Sequence, residues 1–168
     1  MNTNQFNEHE VRNEVERVQM ELVPSDPTTV ERIAKLHPKV RDTFAAFVAT
    51  AEQELNIKLR VSQGLRTIAE QNALYAQGRS KPGRKVTNAK GGQSYHNYGL
   101  AIDLVQLIGS SVNWQFKYEL LEPIATRFGI EWGGNFKSIL DRPHFQITFG
   151  FTTAKLKERM GADGYPII

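Results

Sequence analysis

Two histidines and two aspartates form two short groups in the sequence, and all four have side chains that bind divalent metal ions. His96 and Asp103 are seven positions apart, and Asp141 and His144 are three positions apart. A catalytic zinc ion takes three protein ligands, for which histidine and aspartate are suitable, and keeps one position for water. A fourth residue with a carboxyl group can accept the proton of that water. We therefore predict His96, Asp103 and His144 as ligands of zinc (Zn2+) and Asp141 as the general base.

The local sequence around these residues supports a shared site. Asp103 lies in the apolar run 100–105, and a carboxylate on a buried strand is costly unless it is paired or bound to a metal. Positions seven apart on a strand face opposite sides, so His96 can reach the same ion only from the preceding glycine-rich loop. The alternative for His96 is a loop histidine bonded to the backbone. Pro143 similarly places the aspartate before it outside the strand of His144.

Four further residues are candidates for the site. Arg66 lies just before a predicted helix, where it would either form an ion pair at the helix start or stabilise the oxyanion that develops when an amide is attacked. Ser94, Tyr98 and Trp132 are predicted to contact substrate. For the two aromatic residues the alternative is packing, which is the more common role of aromatics beside glycines.

The periodicity of apolar residues predicts a small α+β domain. Asp26 before Pro27, and Thr67 three residues before Glu70, are signals for helix starts. Helices are predicted over 8–22, 27–36, from residue 38 to 55, from Thr67 to Gly78 and over 116–128 with an interruption or start at Pro123; strands are predicted over 57–61, 100–105 and 144–149, followed by a final helix. A long loop is predicted over 79–93. In the last strand, Phe145, Ile147 and Phe149 are predicted to face the core.

Composition excludes several classes of protein. The 168 residues, of which 40% are hydrophobic and 23% charged, are typical of one globular domain, and the absence of cysteine excludes disulfides and a thiolate nucleophile. No apolar run approaches the roughly 18 residues of a membrane span, so we expect no membrane insertion. The net charge of +3 favours acidic partners, and basic residues are concentrated in the loop 79–90. That loop lacks interleaved aromatic residues, so we expect no nucleic-acid partner.

His9 and His37 have polar neighbours and are predicted to be solvated.

The ordered motifs resemble those of a known family. Residues 94–103 resemble the Ser-x-His-x-x-Gly-x-Ala-x-Asp signature of the zinc peptidases that comprise D-alanyl-D-alanine carboxypeptidases and L-alanyl-D-glutamate endopeptidases, and residues 141–145 resemble their second signature. Three more segments occur in the expected order, at residues 64–71, 74–79 and 131–134. The likeness extends over about residues 36–149, and Phe136 stands where the endopeptidases often have tryptophan.

The resemblance implies a function and a fold. It implies zinc on His96, Asp103 and His144, acid/base catalysis by Asp141 and transition-state support by Arg66. It implies a small antiparallel sheet flanked by helices, a fold shared with the hedgehog signalling domain. The activity expected is zinc-dependent hydrolysis of peptidoglycan stem peptides between L-alanine and D-glutamate, as in phage endolysins. The alternatives are a D-alanyl-D-alanine carboxypeptidase and a zinc-containing binding domain without turnover.

The organisation expected from these observations is one zinc peptidase domain, over residues 36–168, preceded by a helical extension over 1–35. We expect a monomer whose partner is peptidoglycan. The first residues lack the apolar segment of a signal peptide. Synthesis in the cytoplasm is therefore expected, followed by action on the cell wall after export through a phage holin or another non-classical route.

Overall fold

The computed structural model describes residues 23–137 and 140–168. Within them lie helices α1 (Pro27–Ala34), α2 (Arg41–Leu55), α3 (Ile68–Ala76), α4 (Glu122–Arg127) and α5 (Thr153–Glu158), strands β1 (Lys58–Gln63), β2 (Ala101–Ile108), β3 (Ser111–Asn113), β4 (Glu131–Trp132) and β5 (His144–Gln146), and 3₁₀ turns at Pro38–Val40, Tyr95–Tyr98, Tyr118–Leu120 and Gly133–Asn135. The helix predicted over 8–22, with His9, lies outside the described residues. Among the helices described here, none combines the length and the apolar character that crossing a bilayer requires.

The strands form one antiparallel sheet in the order β1-β2-β5-β4, and β3 pairs with the end of β2. In the centre of this sheet Asp103 on β2 lies opposite Gln63 on one side and His144 on the other. Residues directly opposite each other in a ladder present their side chains on the same face. The register therefore places Asp103 and His144 next to each other.

Helix α2 packs across the other face of the sheet and supplies much of the core. Its side chains at Phe44, Phe47, Val48 and Ala51 are fully buried, as the spacing of three and four predicts. The ring of Phe47 lies 5.2 Å from that of Phe145 on β5. Because Phe145 faces this core, its neighbours His144 and Gln146 face the opposite side of the sheet. The helix ends at Leu55 and is capped by Asn56, whose φ of 50° is left-handed.

Helix α1 is tied to the outer edge of β1. Asp26 caps the helix by accepting a hydrogen bond from the Thr29 amide at 2.9 Å, and it forms an ion pair of 2.7 Å with Arg60. The hydroxyl of Thr29 accepts a hydrogen bond from the Val61 amide at 2.9 Å, and Ile33 is buried in the core. These contacts extend the packed structure N-terminally to Asp26. The division of the chain at residue 35 stays a prediction.

Two sequence predictions about burial, those for Phe149 and His37, are wrong. The last strand ends at Gln146, and Phe149 has a φ of 49° and is 43% exposed, so it does not face the core. His37 is not solvated but buried, because its Nε2 lies 2.9 Å from the carbonyl oxygen of Pro166 and its Nδ1 accepts a hydrogen bond from the Lys39 amide. The region 116–128 begins with a 3₁₀ turn, and its α-helix starts at Glu122 with Pro123 in the first turn.

Candidate metal centre and cleft

Three ligand atoms converge on one point of the sheet. His96 Nε2 lies 3.1 Å from Asp103 Oδ1 and 3.1 Å from His144 Nδ1, and the last two atoms are 3.2 Å apart. A tetrahedral zinc site with bonds of about 2.0–2.1 Å has ligand atoms about 3.3–3.4 Å apart. The triangle of ligand atoms therefore fits a single zinc ion with little adjustment.

The hydrogen bonds of the two imidazoles show that these atoms are acceptors. His96 Nδ1 lies 2.8 Å from the carbonyl oxygen of Gly64, and His144 Nε2 lies 2.9 Å from Oε1 of Gln146. Both oxygens can only accept, so each of these nitrogens carries its ring proton. The lone pairs of His96 Nε2 and His144 Nδ1 then face a carboxylate oxygen of Asp103. Three acceptors directed at one point match a cation, and this is the fit expected of a zinc site.

The turn Tyr95–Tyr98 brings His96 to the ligands that the sheet positions. His96 lies in this turn and not on β2, so the alternation of side chains along a strand does not place it on the face opposite Asp103. Gly99 ends the turn with a φ of 66°, and a Cβ there would lie 2.6 Å from the His37 nitrogen. The carbonyl oxygen of His96 accepts a hydrogen bond from the Arg66 amide at 3.0 Å. This hydrogen bond joins the Tyr95–Tyr98 turn to the segment that contains Arg66.

Arg66 extends into the site and is not paired at the start of α3. The Glu70 carboxylate accepts bonds from the amide and hydroxyl of Thr67 in a complete capping box. Arg66 Nη2 instead lies 3.5 Å from Asp103 Oδ2, and Nη1 donates to Oε1 of Gln71 at 2.9 Å. Its Nε is buried without a partner among the described residues. Burial lowers the pKa of Arg66, against the raising effect of Asp103, yet a guanidinium stays charged.

Asp141 lies at the open side of the same site. Its amide donates to the carbonyl oxygen of Gly133 at 3.0 Å, and its carbonyl oxygen accepts from the His144 amide at 3.1 Å. A Cβ on Gly133 would lie 2.4 Å from that carbonyl oxygen, so only glycine permits this approach. Partial loss of water and the charge of Asp103 raise the pKa of the Asp141 carboxyl, although the nearby histidines and Arg66 oppose the rise.

The two predicted ligands on the sheet, Asp103 and His144, have perturbed pKa values. In the metal-free molecule burial acts to raise the pKa of Asp103, but protonation of His96 and His144 on the nitrogens that face it would add charges and hydrogen bonds, which outweigh burial and hold that pKa well below its usual range. Burial acts to lower the pKa of His144, but the charge of Asp103, and the hydrogen bond that Asp103 accepts once Nδ1 is protonated in the metal-free molecule, raise it. Asp103 is therefore ionised and available as a ligand.

A cleft of about 540 Å³ opens above the ligands. It is lined by Arg66, Leu74, Val86, Thr87, Asn88, Ala89, Gln93, Ser94, Tyr95, His96, Asp103, Phe136, Asp141, His144 and Gln146. The ring of Phe136 lies 5.7 Å from that of His144. A second cleft of about 590 Å³ lies at the far end of β2, but there both carboxylate oxygens of Glu52 are bonded to Ser25 and the Leu59 amide. The grouped reactive side chains thus lie in the first cleft.

Of the three predicted substrate contacts, only Ser94 lines the cleft. Tyr98 is 3% exposed and donates its hydroxyl proton to the carbonyl oxygen of Gly92, and Trp132 is 7% exposed and donates Nε1–H to that of Arg142. Both aromatic residues are in the core, so the predicted direct contact of Tyr98 and Trp132 with substrate is wrong. They instead fix the backbone on either side of the ligands.

The basic loop is anchored beside the cleft. Arg79 stacks over the Tyr75 ring at 3.9 Å and donates to the carbonyl oxygen of Thr87 at 2.9 Å and to Oδ1 of Asn88 at 2.9 Å. Gln71 Nε2 donates to the carbonyl oxygen of Ala89 at 2.7 Å. One wall of the cleft is therefore held in place, whereas residues 80–86 are exposed.

Sequence reasoning did not find Gln71, Gln146 or Glu131. Gln71 is fully buried and joins Arg66 to the loop, and Gln146 is 6% exposed and joins His144 to Glu131. The available signal for Gln146 was its position two residues after His144, which puts it on the same face of a strand.

This fold and this site define a metal-dependent hydrolase, and the comparisons place it among known proteins. Residues 87–147 match the family described as D-alanyl-D-alanine carboxypeptidase. The chain is 40% identical over 137 residues to the peptidoglycan L-alanyl-D-glutamate endopeptidase CwlK of Bacillus subtilis, covering 74% of this chain and 75% of that protein. It is 30% identical over 97 residues to the L-alanyl-D-glutamate peptidase of Listeria phage A118, covering 55% of this chain but only 31% of the phage protein.

Solved structures agree with this placement. The L-Ala D-Glu endopeptidase ChiX of Serratia marcescens superposes with a TM-score of 0.56 at 27% identity, covering 77% of this chain and 93% of ChiX. The D,D-pentapeptidase VanY, solved in complex with Zn(II), shares the fold with a TM-score of 0.51 at 19% identity, over 66% of this chain and 71% of VanY. The chain belongs to the family of zinc peptidases that includes the D-alanyl-D-alanine carboxypeptidases and L-alanyl-D-glutamate endopeptidases. The family and the α+β fold predicted from the sequence are confirmed.

Proposed function

We propose that this chain hydrolyses the bond between L-alanine and D-glutamate in the stem peptides of peptidoglycan. The observation that carries the proposal is the convergence of His96, Asp103 and His144 on one point, with Asp141 and Arg66 beside it in an open cleft. The choice of bond rests on CwlK, the phage peptidase and ChiX, all of which are named for cleavage between these two residues.

We assign the zinc ligands as His96 Nε2, Asp103 Oδ1 and His144 Nδ1, because these atoms present their lone pairs to a common point. A zinc ion held there would supply Lewis acidity, which would polarise the scissile carbonyl group and lower the pKa of water at the site. The remaining chemistry belongs to side chains of the protein.

Asp141 is assigned as the base that takes a proton from the attacking water and returns it to the leaving amine. Asp141 lines the cleft beside the predicted ligands, and no residue that the structure describes donates a hydrogen bond to its carboxylate, so the group is free to exchange a proton with water. Its exposed position leaves room for a water molecule to approach.

Arg66 is assigned to the oxyanion that forms on the attacked carbonyl. Its guanidinium is 12% exposed and is held by Gln71 on one side and by the charge of Asp103 on the other. Because the group is already positioned and partly dehydrated, it stabilises developing charge without reorganising during the reaction.

The experiment that tests the proposal is digestion of purified muropeptides by the zinc-loaded protein, followed by mass analysis of the products. A peptide that begins with D-glutamate is the expected product. Release of terminal D-alanine instead would show a carboxypeptidase, and bound zinc with no cleavage of either bond would show a binding domain.

The proposed place of action is the bacterial cell wall, because peptidoglycan is its polymer. The five assigned residues come from a single chain, so the proposed active unit is a monomer. Size-exclusion chromatography with light scattering during turnover checks this assignment.

A further inference from the structure

A chain of hydrogen bonds extends from the ligand His144 to the surface of the sheet. His144 Nε2 lies 2.9 Å from Oε1 of Gln146, and Nε2 of Gln146 donates to Oε2 of Glu131 at 2.9 Å. The other carboxylate oxygen of Glu131 accepts from the Thr148 hydroxyl at 2.9 Å. Glu131 and Gln146 lie directly opposite each other on β4 and β5. The register of the sheet therefore maintains the connection.

The chemistry of the three side chains gives this connection a direction. An ionised carboxylate can only accept hydrogen bonds, so the end of the Gln146 amide that faces Glu131 must be its NH₂ group. The oxygen of the amide consequently faces His144, and it too can only accept. His144 must then carry its ring proton on Nε2, which leaves the lone pair of Nδ1 directed at Asp103 and His96.

We propose that Glu131 and Gln146 are positioning residues, which fix the tautomer and the ring orientation of His144 and thereby set the zinc affinity of the site. This inference rests on the zinc site of the proposed function and adds to it two residues that act through His144. Outer hydrogen-bonding partners of metal-bound histidines typically account for about 10–100-fold in metal affinity.

Glu131→Gln tests the first connection without a change of shape. An amide at position 131 can present either its oxygen or its NH₂ group, so the amide of Gln146 is no longer held in one orientation. We expect zinc to bind about 10-fold more weakly, as measured by competition with a chromophoric chelator. We also expect the His144 Nε2–H signal in the NMR spectrum of the zinc-loaded protein to lose its protection from solvent exchange.

The exchange Glu131→Gln/Gln146→Glu provides a rescue. A carboxylate at position 146 accepts from both the amide at position 131 and His144 Nε2–H, so the ring proton is again held and the net charge equals that of the original chain. We expect both the zinc affinity and the ring N–H signal to return towards their original values. Glu119→Gln is the matched control, because it removes the same charge from an exposed carboxylate that pairs only with Arg142 among the described residues.

The outcomes decide between the possibilities. Zinc affinity in Glu131→Gln equal to that of Glu119→Gln would overturn the inference. An unchanged His144 ring signal would also overturn it, because any change in zinc affinity would then come from the lost charge of Glu131 and not from the orientation of His144. If the exchange variant fails to fold, the single variant and its ring signal still decide. Neither readout involves substrate, so a protein that binds zinc as described but cleaves no muropeptide would refute the proposed function and leave this inference intact.

Discussion

Replacing Asp141 with asparagine separates catalysis from metal binding, because the change removes a proton acceptor and little else. No residue that the structure describes donates a hydrogen bond to the Asp141 side chain, and its backbone bonds to Gly133 and His144 do not depend on the carboxylate. Asparagine keeps the shape of the residue, and the neighbouring charges act on the carboxylate in opposing directions, so the free energy of unfolding should change by no more than about 1 kcal/mol. The three ligand atoms are untouched.

The expected loss of activity is large. A positioned general base contributes about 10²- to 10⁴-fold to the rate, which corresponds to about 3–5 kcal/mol of transition-state free energy. We expect kcat/KM for muropeptide cleavage to fall by this factor in Asp141→Asn while one zinc per chain is retained, measured by chromatography of the products and by elemental analysis. Asp42→Asn, at an exposed aspartate in the first turn of α2, is the matched control.

Two results would refute this reasoning. If Asp141→Asn cleaved within about tenfold of the original rate, another group would be the base. If it lost zinc, Asp141 would belong to the ligand set and not to proton transfer.

Three other predictions test the remaining parts of the site. Chelation should abolish cleavage and zinc should restore it, because the ligand set binds through three acceptor atoms; activity that survives complete zinc removal, verified by elemental analysis, would contradict this. In the zinc-free protein, carbon NMR titration should find the pKa of Asp141 above the ordinary value of about 3.9, and a pKa at or below that value would contradict the site electrostatics. Because the base must be ionised to accept a proton, cleavage by the zinc-loaded protein should decrease as the pH falls through the pKa that Asp141 has there. Gly133→Ala should lower kcat/KM by about 10²-fold, because a Cβ would lie 2.4 Å from the Asp141 oxygen and 3.0 Å from His144 Cβ. Gly109→Ala, where nothing lies within 4 Å of the new Cβ and only the strain of a positive φ is added, is the control that should stay active. Equal activity of the two glycine variants would show that the close approach at Gly133 is not needed.

The convergence of His96, Asp103 and His144 could be predicted because their chemistry is local. Asp103 stands out within an apolar strand, and a histidine in a glycine-rich turn has few structural reasons to be there. Positions seven apart on one strand face opposite sides of the sheet, so His96 was predicted to lie outside the strand of Asp103, and it does lie in a 3₁₀ turn. The assignment of these residues as zinc ligands stays a proposal until a metal is measured.

The residues that the sequence did not indicate depend on distant partners. His37 is buried because it meets Pro166, which is 129 positions away, and Glu131 reaches Gln146 only because β4 lies beside β5. For Tyr98 and Trp132, the motif itself was misleading, since segments that border a site contain core residues that support it as well as residues that contact substrate. Sheet order and side-chain burial decide such cases, and neither can be derived from spacing along the chain.

The basic loop has an anchored part, residues 87–89, and an exposed part, residues 80–86, at the rim of the cleft. Contacts from Arg79 and Gln71 hold residues 87–89. A Cβ on Gly78 would lie 2.5 Å from the backbone nitrogen of Lys85, so the chain at residue 85 returns close to residue 78. The exposed residues between these points contribute cationic side chains, and only Val86 among them lines the cleft. The charges of residues 80–86 can therefore change without loss of the contacts that hold residues 87–89 beside the predicted zinc ligands.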